Sequence, residues 1–323
     1  MPGEAPYARL TPDAVVDAVE SLGMACDGRL LALNSYENRV YRVGIEGAPP
    51  LVAKFYRPAR WSGAAIEEEH AFALELAQAE LSVVAPLAFD GRTLLRHEGF
   101  RFALFPCQGG HAPELGDADT LRQLGRTLAR LHVVGAQRRF SHRPVLDVRR
   151  FGHEPLRDLL ASGQVPEPLR ENFHRLGEAL LLRVEHAFAQ AAPFATLRLH
   201  GDCHSGNILW REGVAHFVDL DDCLAGPAIQ DLWMFLSGSR EEQRMQLEHL
   251  LEGYAQFRDF DWSERRLIEP LRALRLLHYH AWIARRWHDP AFPHAFPWFA
   301  QARHWEEVLR QIQEQIAALE CEP

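Results

Sequence analysis

The chain has 323 residues, of which 47% are hydrophobic and 24% are charged, enough to bury one large core or two coupled lobes. Its net charge of −9 argues against a broad nucleic-acid-binding surface. No apolar run reaches the roughly 18 residues that a membrane span needs, and the N-terminus lacks the charged-then-apolar order of a signal peptide. We therefore expect a cytoplasmic globular protein without a membrane or nucleic-acid partner.

Cysteine usage predicts neither a disulfide framework nor a zinc site. The cysteines are odd in number and scattered, and none of them has CxxC spacing. They are Cys26, Cys107, Cys203, Cys223 and Cys321.

Lysine usage carries more information. All but one of the 35 basic residues are arginines, and Lys54 is the only lysine. A position that keeps lysine against this bias is typical of a site where a compact ammonium group meets phosphate oxygens. The alternative is that Lys54 has remained a lysine by chance.

The first third of the chain predicts a helix followed by an antiparallel sheet. Thr11 and the Pro-Asp pair after it are typical of a helix start. Three β-rich runs within residues 28–57, separated by turn residues, predict a meander with Lys54 on its third strand. Two further strands, over 83–89 and 100–105, complete a predicted sheet of about five.

The turn between the first two runs, residues 34–38, lies where a loop would cover phosphates held by Lys54. It contains no glycine. Ser35 and the backbone N–H groups that follow it can still cap phosphate oxygens, but an ordinary hairpin turn fits the pattern equally well.

A predicted helix beginning after Ser62 carries one carboxylate, Glu69, on its apolar face. A carboxylate on a buried face requires a cation, and we predict that its partner is Lys54. Glu67 and Glu68 are predicted to be solvated.

After residue 106 the sequence changes from β-rich to mostly helical. We therefore predict a nucleotide-binding lobe over 1–106 and a catalytic and substrate-binding lobe over 107–323. The predicted helices of the second part cover about 118–136, 171–191, a segment opened by Gly226-Pro227, 239–257, 263–286 and 299–319.

Residues 198–222 carry the strongest chemical pattern in the chain. A strand-like run leads into a polar loop that begins with His-Gly-Asp202. Asn207 follows in the same loop, and a second strand ends at Asp219. A strand-loop-strand unit brings these three oxygen-bearing side chains together. They can share one Mg²⁺-nucleotide, because hard oxygen ligands suit that ion.

Two further carboxylates, Asp221 and Asp222, follow at once. A solvated turn is the favoured interpretation of both, and ligation of a second metal ion is the alternative. Cys203 and Cys223 flank this stretch, where inert packing is favoured over a redox role.

These motifs carry a family resemblance. The segments HGD, Asn207 and DLDD, together with Lys54 and Glu69 upstream, resemble the aminoglycoside-phosphotransferase and choline-kinase family. NSYENRVY, VAKFYRPARW, LRLHGDCHSGNILW and GPAIQDLWM are similar to its bacterial stress-response kinases, which are serine/threonine protein kinases. The resemblance covers nearly the whole chain. It implies an α+β, bilobal, protein-kinase-like fold, with an N-terminal five-stranded antiparallel sheet and helix and a larger, mainly helical C-terminal lobe.

The resemblance implies two catalytic residues. Asp202 would accept or orient the proton of the attacking hydroxyl, and Asp219 would bind Mg²⁺ together with Asn207.

The resemblance also implies roles outside that stretch. Lys54, held by Glu69, would grip the phosphates of ATP, and Ser35 would contact ATP from the first turn. Asp231 would brace the catalytic loop, and His200 would pack structurally.

Three functions remain open at this point. The first is ATP-dependent transfer to serine or threonine hydroxyls of proteins in a stress response, by a monomeric Mg²⁺-dependent kinase. The second is a kinase for an amino-alcohol or aminoglycoside-like molecule, with a cation pocket built from four aromatic residues that equally fit a helix core: Tyr279, Trp282, Trp287 and Trp298. The third is a nucleotide-binding scaffold without transfer activity, against which the intact Lys54, Asp202, Asn207 and Asp219 argue.

Overall fold

The structure, a computed structural model, describes residues 6–320. Cys321 therefore lies outside the described residues. The helices are α1 (Pro12–Glu20), α2 (Gly63–Gln78), α3 (Ala118–Gly135), α4 (Glu154–Ala161), α5 (Glu167–Ala191), α6 (Arg240–Tyr254), α7 (Ile268–Arg285), α8 (Ala291–Ala295) and α9 (Ala302–Glu320). The strands are β1 (Cys26–Leu33), β2 (Arg39–Ile45), β3 (Ala48–Phe55), β4 (Leu95–His97), β5 (Phe100–Pro106), β6 (Leu197–Leu199), β7 (Ile208–Arg211), β8 (Val214–Phe217) and β9 (Leu224–Gly226).

The described residues form two compact units. The first contains the residues up to Pro144 together with Leu197–Ala225 and Met234–Asp259, and the second contains Val145–Thr196, Gly226–Trp233 and the residues from Phe260 onward. The lobe boundary predicted at residue 106 stays a prediction.

A five-stranded antiparallel sheet dominates the start of the first unit, in the order β1-β2-β3-β5-β4. Lys54 lies on the central strand, opposite Val40 of β2 and Ala103 of β5. The predicted α+β class, with its N-terminal five-stranded sheet, is confirmed.

The two faces of β3 have different surroundings, as strand alternation requires. Ala53 and Phe55 are fully buried in an apolar core that also contains Val15 and Val19 of α1. Lys54 therefore projects from the opposite face.

The predicted position of the fourth strand is wrong. Residues 83–89 form only isolated bridges, and the strand that pairs with β5 is Leu95–His97. The backbone N–H groups of Val84 and Leu87 donate to Phe217 and Leu104, 2.9 and 2.8 Å away. Pro86, which has no N–H, cannot extend a ladder between them.

Helices α3 and α6 complete the first unit largely as predicted. Four leucines of α3 are buried at helical spacing, at positions 121, 124, 128 and 131. His132 is a packed residue, with its Nδ1 atom 2.9 Å from the hydroxyl of Tyr254. Helix α6 begins with the predicted capping box of Ser239 and Glu242.

The second unit is mainly helical. The segment after Gly226-Pro227 was predicted to open a helix, but it forms two short 3-10 turns, Ala228–Asp231 and Trp233–Phe235. The first turn is held by the buried carboxylate of Glu264, which accepts the N–H of Ile229 at 2.9 Å. Among residues 6–320, no helix combines the length and apolarity of a membrane span.

Candidate active site

The only lysine is buried among three carboxylates. The Nζ atom of Lys54 lies 2.8 Å from Asp219, 3.4 Å from Asp221 and 3.5 Å from Glu69. Burial alone would lower the pKa of Lys54, but these carboxylates raise it well above its ordinary value. The ammonium group is therefore charged and fixed in position.

Glu69 is the helix-borne partner predicted for Lys54. Helix α2 begins at the predicted cap, where the Ser62 hydroxyl accepts the N–H of Ala65 at 3.1 Å, and Glu69 lies on its buried face. Burial raises the pKa of Glu69 to about 7, although Lys54 and Arg143 oppose the shift. The Nη1 atom of Arg143 is 3.9 Å from the second carboxylate oxygen.

The solvated-turn interpretation of Asp221 is wrong. Asp221 is 3% exposed and ion-paired with Arg60 as well as with Lys54. The side-chain amide of Asn38 donates to it at 3.0 Å. Burial alone would raise the pKa of Asp221, but Arg60, Lys54 and Arg143 outweigh it and hold the pKa below the usual range. Asp221 is thus a buried residue that joins several charged and polar side chains. Asp222 is exposed and also forms an ion pair with Arg60.

The predicted solvation of Glu68 is also wrong. Its carboxylate accepts three consecutive backbone N–H groups, from Ser141, His142 and Arg143, at 2.6, 2.8 and 2.9 Å. Glu67 is exposed, as expected.

The loop from His200 to Asn207 is tied to the strand that leads to Asp219. The Nε2 atom of His200 lies 2.9 Å from the carbonyl oxygen of Val218, whose own N–H donates to the Asn207 carbonyl at 3.0 Å. Gly201 has a φ of +86°, and a Cβ atom there would collide with the carbonyl of Asp222. These contacts bring the loop beside the predicted metal ligand.

Within the loop, Asn207 and Asp202 are linked directly. The side-chain amide of Asn207 donates to the carbonyl oxygen of Asp202 at 2.9 Å. The Nδ1 atom of His204 accepts the N–H of Gly206 at 3.0 Å, and its Nε2 atom lies 3.5 Å from the Asp202 carboxylate. His204 is an addition to the predicted residues.

Asp219 has an unusual backbone conformation, with φ 59° and ψ 63° in the left-handed region. Its side chain is 54% exposed although one oxygen meets Lys54. A non-glycine residue in this region is strained by about 1–3 kcal/mol and persists only when its surroundings hold it there.

Ser35 is engaged within its own turn. Its hydroxyl donates to the carbonyl oxygen of Asn38 at 3.1 Å, and Asn38 in turn accepts the N–H of Arg57 at 3.1 Å. The turn is therefore joined to Asp221 through Asn38.

Three residues of this site were not predicted as site residues from the sequence. Asn38 belongs to an ordinary turn motif, Arg60 follows a strand, and Arg143 lies in a proline- and arginine-rich region without periodicity. Their distance in sequence from Asp221 explains why no local pattern reveals them.

Cys203 and Cys223 are both completely buried. Burial also raises the pKa of the Cys223 thiol. Packing rather than redox chemistry is the role that these surroundings support.

The donor set fits a Mg²⁺ ion that is shared with a nucleotide. Among residues 6–320, no three His, Cys, Asp or Glu side chains form a metal cage. Because the nitrogen of the Asn207 amide is occupied by Asp202, its oxygen is left as an acceptor, and the Asp219 carboxylate is partly exposed. Mg²⁺ typically takes one or two protein oxygens and completes its shell with phosphates and water.

The model of one family matches residues 29–268, about three quarters of the chain, and its description is "Phosphotransferase enzyme family". The chain belongs to this family. Its curated relatives include "Serine/threonine protein kinase RdoA" of Salmonella typhimurium, which is 47% identical over 98% of this chain and 96% of its own length. "Stress response kinase A" of Escherichia coli K12 is 46% identical over the same shares. The resemblance inferred from the motifs is confirmed.

Solved structures of lower identity share the fold of this phosphotransferase. The amicoumacin kinase hAmiN, in complex with AMP-PNP, Ca²⁺ and Ami, superimposes with a TM-score of 0.75 at 18% identity, covering 96% of this chain and 94% of its own. A microcompartment-associated aminopropanol kinase gives 0.64 at 19%, covering 91% and 92%. The predicted kinase-like fold is therefore correct.

Proposed function

We propose that this phosphotransferase transfers the γ-phosphoryl group of ATP to serine or threonine hydroxyls of proteins, with Mg²⁺, as part of a stress response. The observation that carries the proposal is the single lysine, fixed between Glu69 and Asp219 in a member of a phosphotransferase family. The choice of a protein acceptor rests on relatives at 46–47% identity, one of which is named a serine/threonine protein kinase.

The sheet supports a nucleotide beside Lys54. On the lysine face, Leu33 and Val40 lie in the same cross-strand row as Lys54, and Val52 and Phe105 form the next row. All four apolar side chains retain some exposure. We infer that they cover the adenine base while Lys54 binds phosphate oxygens, with Ser35 at the turn.

The residues of the loop support phosphoryl transfer. Asp202 would orient the acceptor hydroxyl and take its proton, and His204, 3.5 Å away, would help to hold the Asp202 carboxylate. Asn207 and Asp219 would hold Mg²⁺, which neutralises charge on the transferred group when bound. Positioning and charge neutralisation, rather than covalent chemistry, would therefore carry the rate.

The test is transfer of label from γ-labelled ATP to a generic protein acceptor and to a panel of small alcohols and amino-alcohols, with Asp202→Ala as the control. We expect label on protein serine and threonine, dependent on Asp202. Transfer to a small alcohol alone would exclude the protein substrate, and absence of transfer with intact nucleotide binding would favour a scaffold.

The aromatic residues considered for a small cationic substrate pack mainly on other aromatic rings. Trp282 lies 5.1 Å from Phe292 and 5.7 Å from Phe296 between ring centroids. Trp298 lies 4.5 Å from the ring of His304. This packing supports a helix core rather than an open cation pocket.

The roles of the two aspartates can be separated. Asp202→Asn should leave Mg²⁺-nucleotide binding intact and lower kcat by about 10²–10⁴-fold, the usual effect of a lost general base. Asp219→Asn should instead weaken the Mg²⁺-dependent part of nucleotide binding. Calorimetry with ADP, with and without Mg²⁺, distinguishes them, and full turnover by Asp202→Asn would refute its assignment as the base.

A further inference from the structure

Helix α2 carries two adjacent carboxylates with separate tasks. Glu69 meets Lys54 at 3.5 Å. Glu68 accepts the N–H groups of residues 141–143 and so fixes that connecting segment against the helix. One helix therefore fixes both the lysine and a second element.

Arg143 is the last residue of the segment 141–143 that Glu68 fixes. Its side chain is completely buried, and its guanidinium lies 4.1 Å from the centre of the Trp61 ring. The Nε atom donates to the carbonyl oxygen of Cys223 at 2.9 Å, and Nη2 donates to the carbonyl oxygen of Asp221. A planar guanidinium presents Nε and Nη2 to the two carbonyls in one fixed geometry, whereas the donors of an ammonium group have no such fixed fork.

These two carbonyls belong to the turn that follows Asp219. The same turn is closed by the N–H of Cys223, which donates to Leu220 at 2.8 Å, and is joined to residue 144 by the N–H of Ala225, also at 2.8 Å. Asp219 itself is held in a left-handed conformation that costs free energy. The two carbonyls that Arg143 contacts lie two and four residues after Asp219.

We propose that Glu68 and Arg143 are positioning residues for Asp219. Glu68 fixes the backbone of Arg143, and Arg143 fixes the turn from Asp219 to Cys223 in the conformation that presents the Asp219 carboxylate to a metal ion. The position of α2 thereby determines the position of Lys54, through Glu69. It also determines the conformation of Asp219, through Glu68 and Arg143. The functional part of this inference rests on the proposed use of Mg²⁺-nucleotide.

The short distance in sequence between Asp219 and Asp231 is consistent with permanent positioning by Glu68 and Arg143. Only eleven residues separate Asp219 from Asp231, so there is no room for a long loop ordered by phosphorylation. The ordering that such a loop would provide is supplied here by a buried arginine and a helix-borne carboxylate.

The experiment compares Glu68→Gln and Arg143→Lys with wild type, using Glu67→Gln as the matched control because Glu67 is an exposed neighbour on the same helix. The first readout is amide hydrogen exchange of the peptide spanning residues 218–225, measured without metal or nucleotide. The second is the dissociation constant of ADP with and without Mg²⁺.

We expect faster exchange in that peptide for both variants and no change for Glu67→Gln. The Mg²⁺-dependent gain in ADP affinity should fall by about tenfold, the effect of one lost charge-assisted hydrogen bond, while metal-free ADP binding changes little. Should Arg143→Lys fail to fold, Glu68→Gln, which keeps the shape of the side chain, still decides the question.

Two results would overturn the inference. One is unchanged exchange of residues 218–225 in both variants. The other is a lower melting temperature with the wild-type Mg²⁺-dependent gain in affinity, which would make both residues merely structural. Failure of the proposed use of Mg²⁺-nucleotide looks different, because wild type itself would then show no Mg²⁺-dependent ADP binding. A protein that phosphorylates only small alcohols would still show this binding and would fail only the labelled-ATP transfer test.

Discussion

Two buried regions of this phosphotransferase are stabilised by opposite kinds of interaction. In the first unit, the ionic cluster of Lys54, Arg60, Glu69, Arg143 and Asp221 joins opposite charges over short distances. In the second unit, the aromatic cluster consists of stacked, tilted and edge-on rings: His280, Trp282, Phe292, Phe296, Trp298, Phe299, His304 and Trp305.

The difference shows where each kind of interaction is useful. Buried charges often add little net stability, because desolvation offsets their attraction, but they fix polar groups in one geometry. Ring packing removes apolar area from water and is less sensitive to orientation. We therefore expect substitutions in the ionic cluster to affect activity most, and those in the aromatic cluster to affect stability most.

Lys54→Met tests the ionic cluster with the largest expected effect. It removes the proposed phosphate contact and leaves Asp221 and Glu69 with one cation fewer. We expect kcat/KM to fall by about 10²–10³-fold, as when one preorganised charge-stabilising donor is lost. Steady-state kinetics measures this, with the exposed Arg240→Met as control, and a loss below tenfold would contradict the role of Lys54.

Trp305→Phe tests the aromatic cluster. Trp305 is completely buried, and its indole N–H donates to the carbonyl oxygen of Phe299 at 2.9 Å. We expect the free energy of unfolding to fall by about 1–3 kcal/mol through the lost hydrogen bond and contact area, with kcat/KM unchanged. Urea unfolding measures the effect, with Trp262→Phe, which is 60% exposed in wild type, as control. If Trp305→Phe lost activity while its free energy of unfolding stayed unchanged, the aromatic cluster would not have the stabilising role that the comparison assigns to it.

The pH dependence sharpens the comparison through Glu69. Its pKa is raised by burial from 4.5 to about 7, so the ion pair with Lys54 is completed only as pH rises through about 7. We expect kcat/KM to increase over that range and Glu69→Gln to abolish the step. The contribution of Glu69 to folding stability has the opposite sign, being fully present below about 4.5 and lost as pH rises through about 7. A pH profile that is the same in Glu69→Gln and wild type would contradict this assignment.

Ser35→Ala has the smallest expected effect. The hydroxyl of Ser35 donates to Asn38 within the turn, so its loss removes one partly buried hydrogen bond. We expect the KM for ATP to rise severalfold, corresponding to about 0.5–1.5 kcal/mol, with kcat unchanged. An unaltered KM would mean that Ser35 does not contact ATP.

Much of the fold follows from local sequence patterns. The caps at Thr11, Ser62 and Ser239 and the leucine spacing of α3 involve residues three or four positions apart. Such patterns depend on helix geometry alone, so they can be interpreted without tertiary information. The fourth strand was misplaced because three residues carry little periodicity, and its pairing is decided by β5.

The sequence by itself determined which residues are proposed for the site: a single lysine, a carboxylate on the apolar face of a helix, and the Asp202, Asn207 and Asp219 pattern. Only the tertiary structure decided how those groups are held. Asn38 and Asp221 are 183 positions apart, and Arg143 is 80 positions from Cys223. The physical reason is that a buried charge takes any partner of suitable geometry that the folded chain brings near, whatever its distance in sequence.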